Sequence, residues 1–359
     1  MFLHGIFPPI TTPFYPDGSV YFKKIEHNVD RYSRTPVAGI VALGSTGEAI
    51  LLSDQERRDV LQAARAAAAP EKVLIAGVGI ESAIETLRLA EYAATLGYDI
   101  AMVRTPLYYK SQLKPANLLA FYRTVADRSP LPVVIYNFPQ ATGYDIPAEV
   151  VIELAEHPNL IGIKESSGSI EKVKTMVERT RHVRRATTVT ETFAAVTPRM
   201  PASAAAASGN GSELVQVSAL AGASKEASKP SSTAVEVRHG IKTRSKEVGF
   251  QVMVGAAQKL EPSLQAGAIG AILAFACPAP TACFEIYTAW KEGDLELARE
   301  KQQCIAQAAQ RIVGELSIPA VKYAMDLNGY YGGPARLPLL PLTADLKSEV
   351  ERLMRNIKN

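Results

Sequence analysis

The sequence predicts an α/β chain wound as a (β/α)8 TIM barrel with a C-terminal helical appendix, and three observations predict it. Short apolar runs rich in Val and Ile alternate with longer amphipathic stretches. The alternation recurs at roughly 30 residues, the length of a βαβ unit. The runs also lack the in–out polarity of a half-exposed sheet, as parallel strands covered on both faces do.

Each element can be justified in order. Strands are read at 5–10, 38–43, 73–78, 99–103, 132–136 and 160–164, with helices between them at 21–32, 53–69, 84–96, 115–128, 147–157 and 169–181. Ser53 followed by Glu56 is a capping box that sets the start of the second helix. After a break at about 182–249, runs at 250–254 and 268–275, separated by a helix beginning near Gln258, bring the strands to eight. Helices at 295–316, 320–327 and 345–357 form the appendix, so residues 1–290 are read as barrel and 291–359 as C-terminal helices. An open dinucleotide-binding sheet is the competing architecture. Its glycine fingerprint fails here, because Gly77-Val-Gly79-Ile-Glu-Ser82 has serine at the third glycine position.

The break is compositionally foreign. Residues 201–211 and 223–232 are low-complexity Ala/Ser/Lys/Gly stretches with few groups able to anchor a core. Lying between helix 6 and strand 7, the insertion is an αβ loop, which belongs on the N-terminal face of the barrel, away from the chemistry. It is expected to add little to the core, so trimming it should leave the barrel folded.

Composition excludes several classes of function. At 47% hydrophobic and 21% charged residues, the 359-residue chain can bury an ordinary core, which rules out wholesale disorder. A net charge of +3 is too slight to build a phosphate-binding surface, so no nucleic-acid partner is expected. Cys277, Cys283 and Cys304 form no CxxC pair, and the five histidines are scattered, so neither a metal site nor a disulfide framework is expected, and no cofactor is called for. The N-terminus has no basic region before a long apolar core, as a secretory signal would. Residues 262–284 carry no charge and are long enough to span a bilayer, but their Ala, Gly and Pro content reads better as a buried strand with flanking loops. No membrane partner and a cytoplasmic location are therefore expected.

Four segments could carry chemistry. Lys164 ends an apolar strand: its amine either snorkels to water or lies desolvated, where burial favours the neutral, nucleophilic form that attacks ketones. Tyr136 ends the preceding strand, within reach of Lys164, as a packed rim residue or a proton relay. Gly44-Ser45-Thr46-Gly47-Glu48 follows the second strand, where glycines and paired hydroxyls suit an anion such as a carboxylate, although any βα turn can look alike. Tyr108 and Tyr109 follow the fourth strand, at a rim that packed aromatics alone would also explain.

Taken together and in this order, Gly44–Glu48, Pro106-Leu-Tyr-Tyr109, Tyr136-Asn-Phe-Pro139 and Gly162-Ile-Lys-Glu165 carry a resemblance to the dihydrodipicolinate synthase / N-acetylneuraminate lyase family of class I pyruvate aldolases. It covers residues 1–181 and 250–359. The resemblance implies Lys164 as the Schiff-base lysine, Tyr136 as the relay, and Ser45 and Thr46, with Gly44, as the keto-acid carboxylate site. Thr46 would also help organise the relay. Tyr108 matches the tyrosine that members lend to a neighbouring subunit, which implies a homo-dimer or homo-tetramer. In the synthases an arginine two residues after the YNxP proline grips aspartate semialdehyde; here that position is Ala141. The Pro-Leu-Tyr-Tyr-Lys run and Asn328-Gly-Tyr-Tyr-Gly-Gly-Pro-Ala-Arg336 are more similar to the 4-hydroxy-2-oxoglutarate aldolases. The implied reaction is cleavage or formation of a 4-hydroxy-2-oxo acid, with pyruvate and glyoxylate or another small aldehyde as partners. The condensing synthase is the alternative, then a sugar-acid aldolase or dehydratase, and a non-catalytic keto-acid binder is the reading from another class.

Overall fold

The computed structural model describes residues 1–207, 236–238 and 241–357. Among these residues, eight parallel strands form one sheet: β1 (Gly5–Phe7), β2 (Gly39–Ala42), β3 (Val73–Gly77), β4 (Ile100–Arg104), β5 (Val133–Asn137), β6 (Leu160–Glu165), and then β10 (Gln251–Val254) and β11 (Gly270–Ile272). Strands β2 to β6 neighbour one another in chain order, β10 follows β6, and β11 joins β10 to β1. The sheet closes where the Ala38 N–H donates to Ile6 O and the Ile10 N–H to Val41 O, both at 2.9 Å. The molecule is a TIM barrel.

The two-residue period of each strand sorts its side chains. Phe7, Val41, Val73, Ile75, Ile100, Met102, Val134, Met253 and Ile272 fill the interior. Their alternates, such as Ile40, Leu74, Ala101, Ile135 and Val252, pack against the outer helices. On β6 the inward phase falls on Gly162 and Lys164, which pair with Val134 and Tyr136 of β5. Gly162 has to lack a side chain, because a Cβ there would lie 2.2 Å from the carbonyl oxygen of Gln251.

The surrounding helices are α1 (Phe22–Ser33), α2 (Asp54–Ala67), α3 (Ala83–Thr95), α4 (Pro115–Arg128), the short α5 (Pro139–Thr142), α6 (Ala148–Leu154), α7 (Ile170–Arg179), α9 (Leu260–Gln265) and α10 (Pro280–Lys291). The Ser53–Glu56 capping box is present in both directions, at 3.2 and 2.8 Å. Helices α11 (Leu295–Ala309), α12 (Ser317–Leu327) and α13 (Ala344–Met354) follow the barrel. The uncharged stretch 262–284 holds more than a strand and loops: it carries the end of α9, β11 and the first turn of α10, entered through Pro280 at its N-terminus. Among the described residues no helix is long and apolar enough to cross a membrane.

The insertion departs from expectation. Its ends are ordered as β7 (Arg185–Thr190) and β9 (Ile241–Val248), which pair antiparallel with each other. β8 (Glu236–Arg238) pairs antiparallel with the other edge of β9 to complete a second sheet, and α8 (Arg199–Ala207) lies between β7 and β8 in the chain. Most of the low-complexity stretch after Ala207, including 223–232, lies outside the described residues. The described part lies against the N-terminal ends of the barrel strands, as an αβ loop should. The Arg185 guanidinium donates to Ala155 O, His157 O and Leu160 O at 2.6–2.9 Å, where the chain enters β6. The Thr197 hydroxyl donates to Pro70 O ahead of β3, and Arg199 donates to Lys72 O.

These contacts go beyond the expectation that the segment adds little to the core. Val189, Thr197 and Arg199 are buried, and Arg199 pairs with the fully buried Asp99 at 2.9 Å. Burial pushes the Asp99 carboxyl up, and Arg199 opposes that rise. Removing one partner of a buried pair strands the other charge, at a cost of about 3–5 kcal/mol. Arg199→Met should therefore lose that order of stability in urea unfolding at neutral pH. Without its partner the Asp99 pKa rises further above its unfolded value, so the loss grows as pH rises and shrinks in acid, where the folded protein can protonate Asp99. The same reasoning makes trimming the whole segment destabilising. A stability of Arg199→Met equal to the unaltered protein at pH 7 would show that this contact contributes nothing.

Candidate active site

Parallel barrel strands deliver their last inward side chains to the C-terminal mouth, where β5 and β6 place Tyr136 and Lys164 side by side in register. The Lys164 ammonium lies 4.0 Å from the centroid of the Tyr136 ring. Both are nearly sealed from solvent, at 4% and 5% exposure, so this lysine does not snorkel. The Tyr136 hydroxyl is 3.3 Å from Ser45 Oγ. An amine, a phenol and an alcohol therefore converge from three separate segments.

Ser45 stands on a single 3-10 turn, Ser45–Gly47, which opens after Gly44 and closes on Glu48. The N–H groups of Gly47 and Glu48 are taken up inside the turn by Gly44 O and Ser45 O, both at 3.0 Å. What remains for an anion are the Ser45 and Thr46 hydroxyls and the first N–H groups of the turn. Thr46 itself is buried.

Behind this turn lies an ion pair that the sequence does not announce. Lys322 of α12 is fully buried, with Nζ 2.5 Å from Glu48 Oε1. Burial is the larger influence on that ammonium and lowers its pKa, with Glu48 acting the other way. Arg336, in the chain leaving α12, grips Glu56 through both guanidinium nitrogens at 2.7 and 3.0 Å. That contact, more than any other, holds the Glu56 carboxyl at about 2. A lysine on the apolar face of a helix beside Val321 and Met325 was the one available sign.

A second supporting group backs Lys164. Asn137 Nδ2 donates to both oxygens of the buried Glu165 at 2.9 and 3.1 Å and to Asp145 at 2.7 Å, while the Ser167 N–H donates to Glu165 at 2.6 Å. Lys172 pairs with Glu165 at 3.3 Å. These bonds tie the residue after Tyr136 to the residue after Lys164, which fixes the spacing of the two strand ends.

Two residues from Lys164, in the same inward phase, the Ser166 hydroxyl is buried with no hydrogen-bond partner. It lies against Gly255, where a Cβ would come within 1.9 Å of Oγ. Sequence reasoning missed Ser166, although the strand period points to it. The thiol of Cys277 is also buried; burial pushes it well above its usual range, so it stays protonated and offers no rival nucleophile.

Tyr108 does not join this cluster within the chain. It is 74% exposed and edge-on to Tyr109, on a turn that Glu81 holds through the Leu107 and Tyr108 N–H groups at 2.9 and 3.1 Å. Ala141 is exposed on α5 and carries no charge. A cation does stand beside that turn: Lys110 Nζ would be 2.6 Å from a Cβ placed on Gly143. Among the described residues no group of three or more His, Cys, Asp or Glu side chains could hold a metal ion.

Residues 2–191 and 210–357 match the Dihydrodipicolinate synthetase family. The chain belongs to that family. The unmatched stretch, 192–209, is shorter than the sequence suggested, since the family match takes in β7 and β9. Among its relatives, a 4-hydroxy-tetrahydrodipicolinate synthase of Methanothrix thermoacetophila is 26% identical over 355 residues, which is 99% of this chain and 97% of the relative. One from Xanthomonas campestris pv. campestris is 41% identical over 177 residues, 49% of this chain and 58% of that protein. In fold, the chain is similar to dihydrodipicolinate synthase DapA-2 from Bacillus anthracis, with a TM-score of 0.75 at 20% identity over 99% of each chain. It is equally similar to YagE from E. coli K12, a prophage protein of the same family solved in complex with pyruvate, with a TM-score of 0.75 at 24% identity over 99% of each chain. The protein is a class I, Schiff-base-forming lyase of the dihydrodipicolinate synthetase family.

Proposed function

We propose that this family member cleaves, or forms, a 4-hydroxy-2-oxo acid through a pyruvate iminium on Lys164, with 4-hydroxy-2-oxoglutarate as the substrate and glyoxylate as the aldehyde. The observation that carries the reading is the Lys164 amine stacked 4.0 Å over Tyr136, whose hydroxyl meets Ser45. In cleavage, the neutral amine adds to C2 and the Tyr136 hydroxyl shuttles the protons that turn the carbinolamine into iminium plus water. A base removes the C4 hydroxyl proton, the C3–C4 bond breaks, and its electrons flow into the iminium to leave an enamine and a free aldehyde. Protonation at C3 and hydrolysis return pyruvate and the amine. Ser45 and Thr46, on the turn that starts at Gly44, hold the keto-acid carboxylate. Tyr108, exposed on this chain, serves the site of a second copy, so the working form is a cytoplasmic homo-dimer or homo-tetramer.

The condensing synthase is the second reading, and the names of the relatives favour it. Against it stands Ala141, because an alanine cannot replace a bidentate guanidinium fork on a carboxylate. A panel of aldehydes and hydroxy-oxo acids, assayed for pyruvate released or consumed, separates the two. Glyoxylate is expected to be the better acceptor and aspartate semialdehyde a poor one, with no feedback by lysine. Condensation with the semialdehyde at a rate matching the best aldehyde would make the protein a synthase.

A further inference from the structure

We infer that Lys322, in the C-terminal helix α12, is a positioning residue for pyruvate: through Glu48 and Thr12 it holds the turn that presents Ser45 and Thr46 to the keto-acid carboxylate. The inference rests on the role given to Ser45 and Thr46 above.

Two arms run from Lys322 to the turn. The first is direct, from Nζ to Glu48 Oε1 at 2.5 Å. The second passes through Thr12: Nζ donates to Thr12 O at 2.8 Å, and the Thr12 hydroxyl donates to Gly47 O at 2.6 Å. A third bond, to Pro334 O at 2.8 Å, ties the same ammonium to the chain beyond α12. Glu48 is held from the other side as well, since its Oε2 accepts the Arg336 N–H at 2.8 Å.

The backbone gives an independent reason to think the turn needs holding. Glu48 has φ 53° and ψ 30°, the left-handed conformation that side-chain-bearing residues avoid unless their surroundings impose it. The anchored carboxylate is what imposes it here. Stability alone is a poor explanation for the pair, because apolar residues of similar volume usually match or exceed a buried ion pair. What the pair supplies is direction: it fixes where residues 45–48 point, and with them the hydroxyl that meets Tyr136.

The test is the pyruvate dependence of imine trapping, read as the mass of the borohydride-reduced adduct in the full-length protein. Lys322→Met keeps the volume and removes the charge and the three contacts. Its half-saturating pyruvate concentration is expected to rise about tenfold or more, while labelling at saturating pyruvate still goes to completion. Thr12→Val severs only the hydroxyl bond to Gly47, and a severalfold rise is expected with the thermal transition little changed. A merely structural role would lower the melting temperature of Lys322→Met and leave the half-saturation of the folded protein where it was. Should Lys322→Met fail to fold, Thr12→Val decides: half-saturation within twofold of the unaltered protein overturns the inference. Unaltered protein that traps no pyruvate at all overturns the functional reading and this role with it. Normal trapping with unmoved variants overturns the positioning role alone.

Discussion

Lys164→Ala is expected to abolish imine trapping and turnover together. With pyruvate and borohydride, the unaltered protein should gain the mass of one reduced adduct on the peptide that contains Lys164, and the variant should gain none. The reason is chemical: the iminium is the electron sink for the C3–C4 bond, and no neighbouring group can supply it. Lys110 and Lys172 make the experiment selective, because both lie near the strand ends that frame the site. Lys172 is engaged by Asp145 and Glu165, and Lys110 is exposed. An adduct that persists on either lysine in Lys164→Ala would move the nucleophile elsewhere.

Tyr136→Phe should fold normally and turn over about 10²–10⁴-fold more slowly, the range for a positioned acid–base group. The ring that supports the Lys164 ammonium is kept, so the fold and the stacking survive and only the hydroxyl beside Ser45 is lost. Carbinolamine formation and dehydration both need proton transfer. The rate of trapping should therefore fall, although its endpoint at saturating pyruvate should not. Full activity in this variant would leave Tyr136 as a packing residue.

How much of this was legible depended on how far apart in the chain the interacting parts lie. Strands β1–β6 were readable because a parallel strand covered on both faces is an unbroken apolar run, and their regular spacing implied closure. Lys164 and Tyr136 were readable because each ends such a run, and consecutive strands are neighbours. Strands β7 and β9 escaped notice although the β-branched run Thr187-Thr-Val-Thr190 is a strand signal, because the adjoining Ala/Ser composition dominated the segment. Helix α10 was missed because its first turn is uncharged and Pro-rich like the strand before it. The pairings Glu48–Lys322 and Asp99–Arg199 could not be read, because each joins residues far apart in the chain that only the folded structure brings together.

The distance along the chain between the Ser45 turn and its anchors bears on how the protein is made. Lys322 and Thr12 are 310 residues apart, and Arg336 and Glu48 are 288 apart. At synthesis rates of roughly 5–20 residues per second, the turn waits about 15–60 s on the ribosome for the residues that complete it. Every side chain of the Lys164–Tyr136–Ser45 cluster is synthesised in the first half of the chain, yet the partners of the Glu48 carboxylate, Lys322 and Arg336, come near its end. On the function proposed above, a nascent or prematurely terminated chain would carry Lys164 before it carries the residues that hold the Ser45 turn.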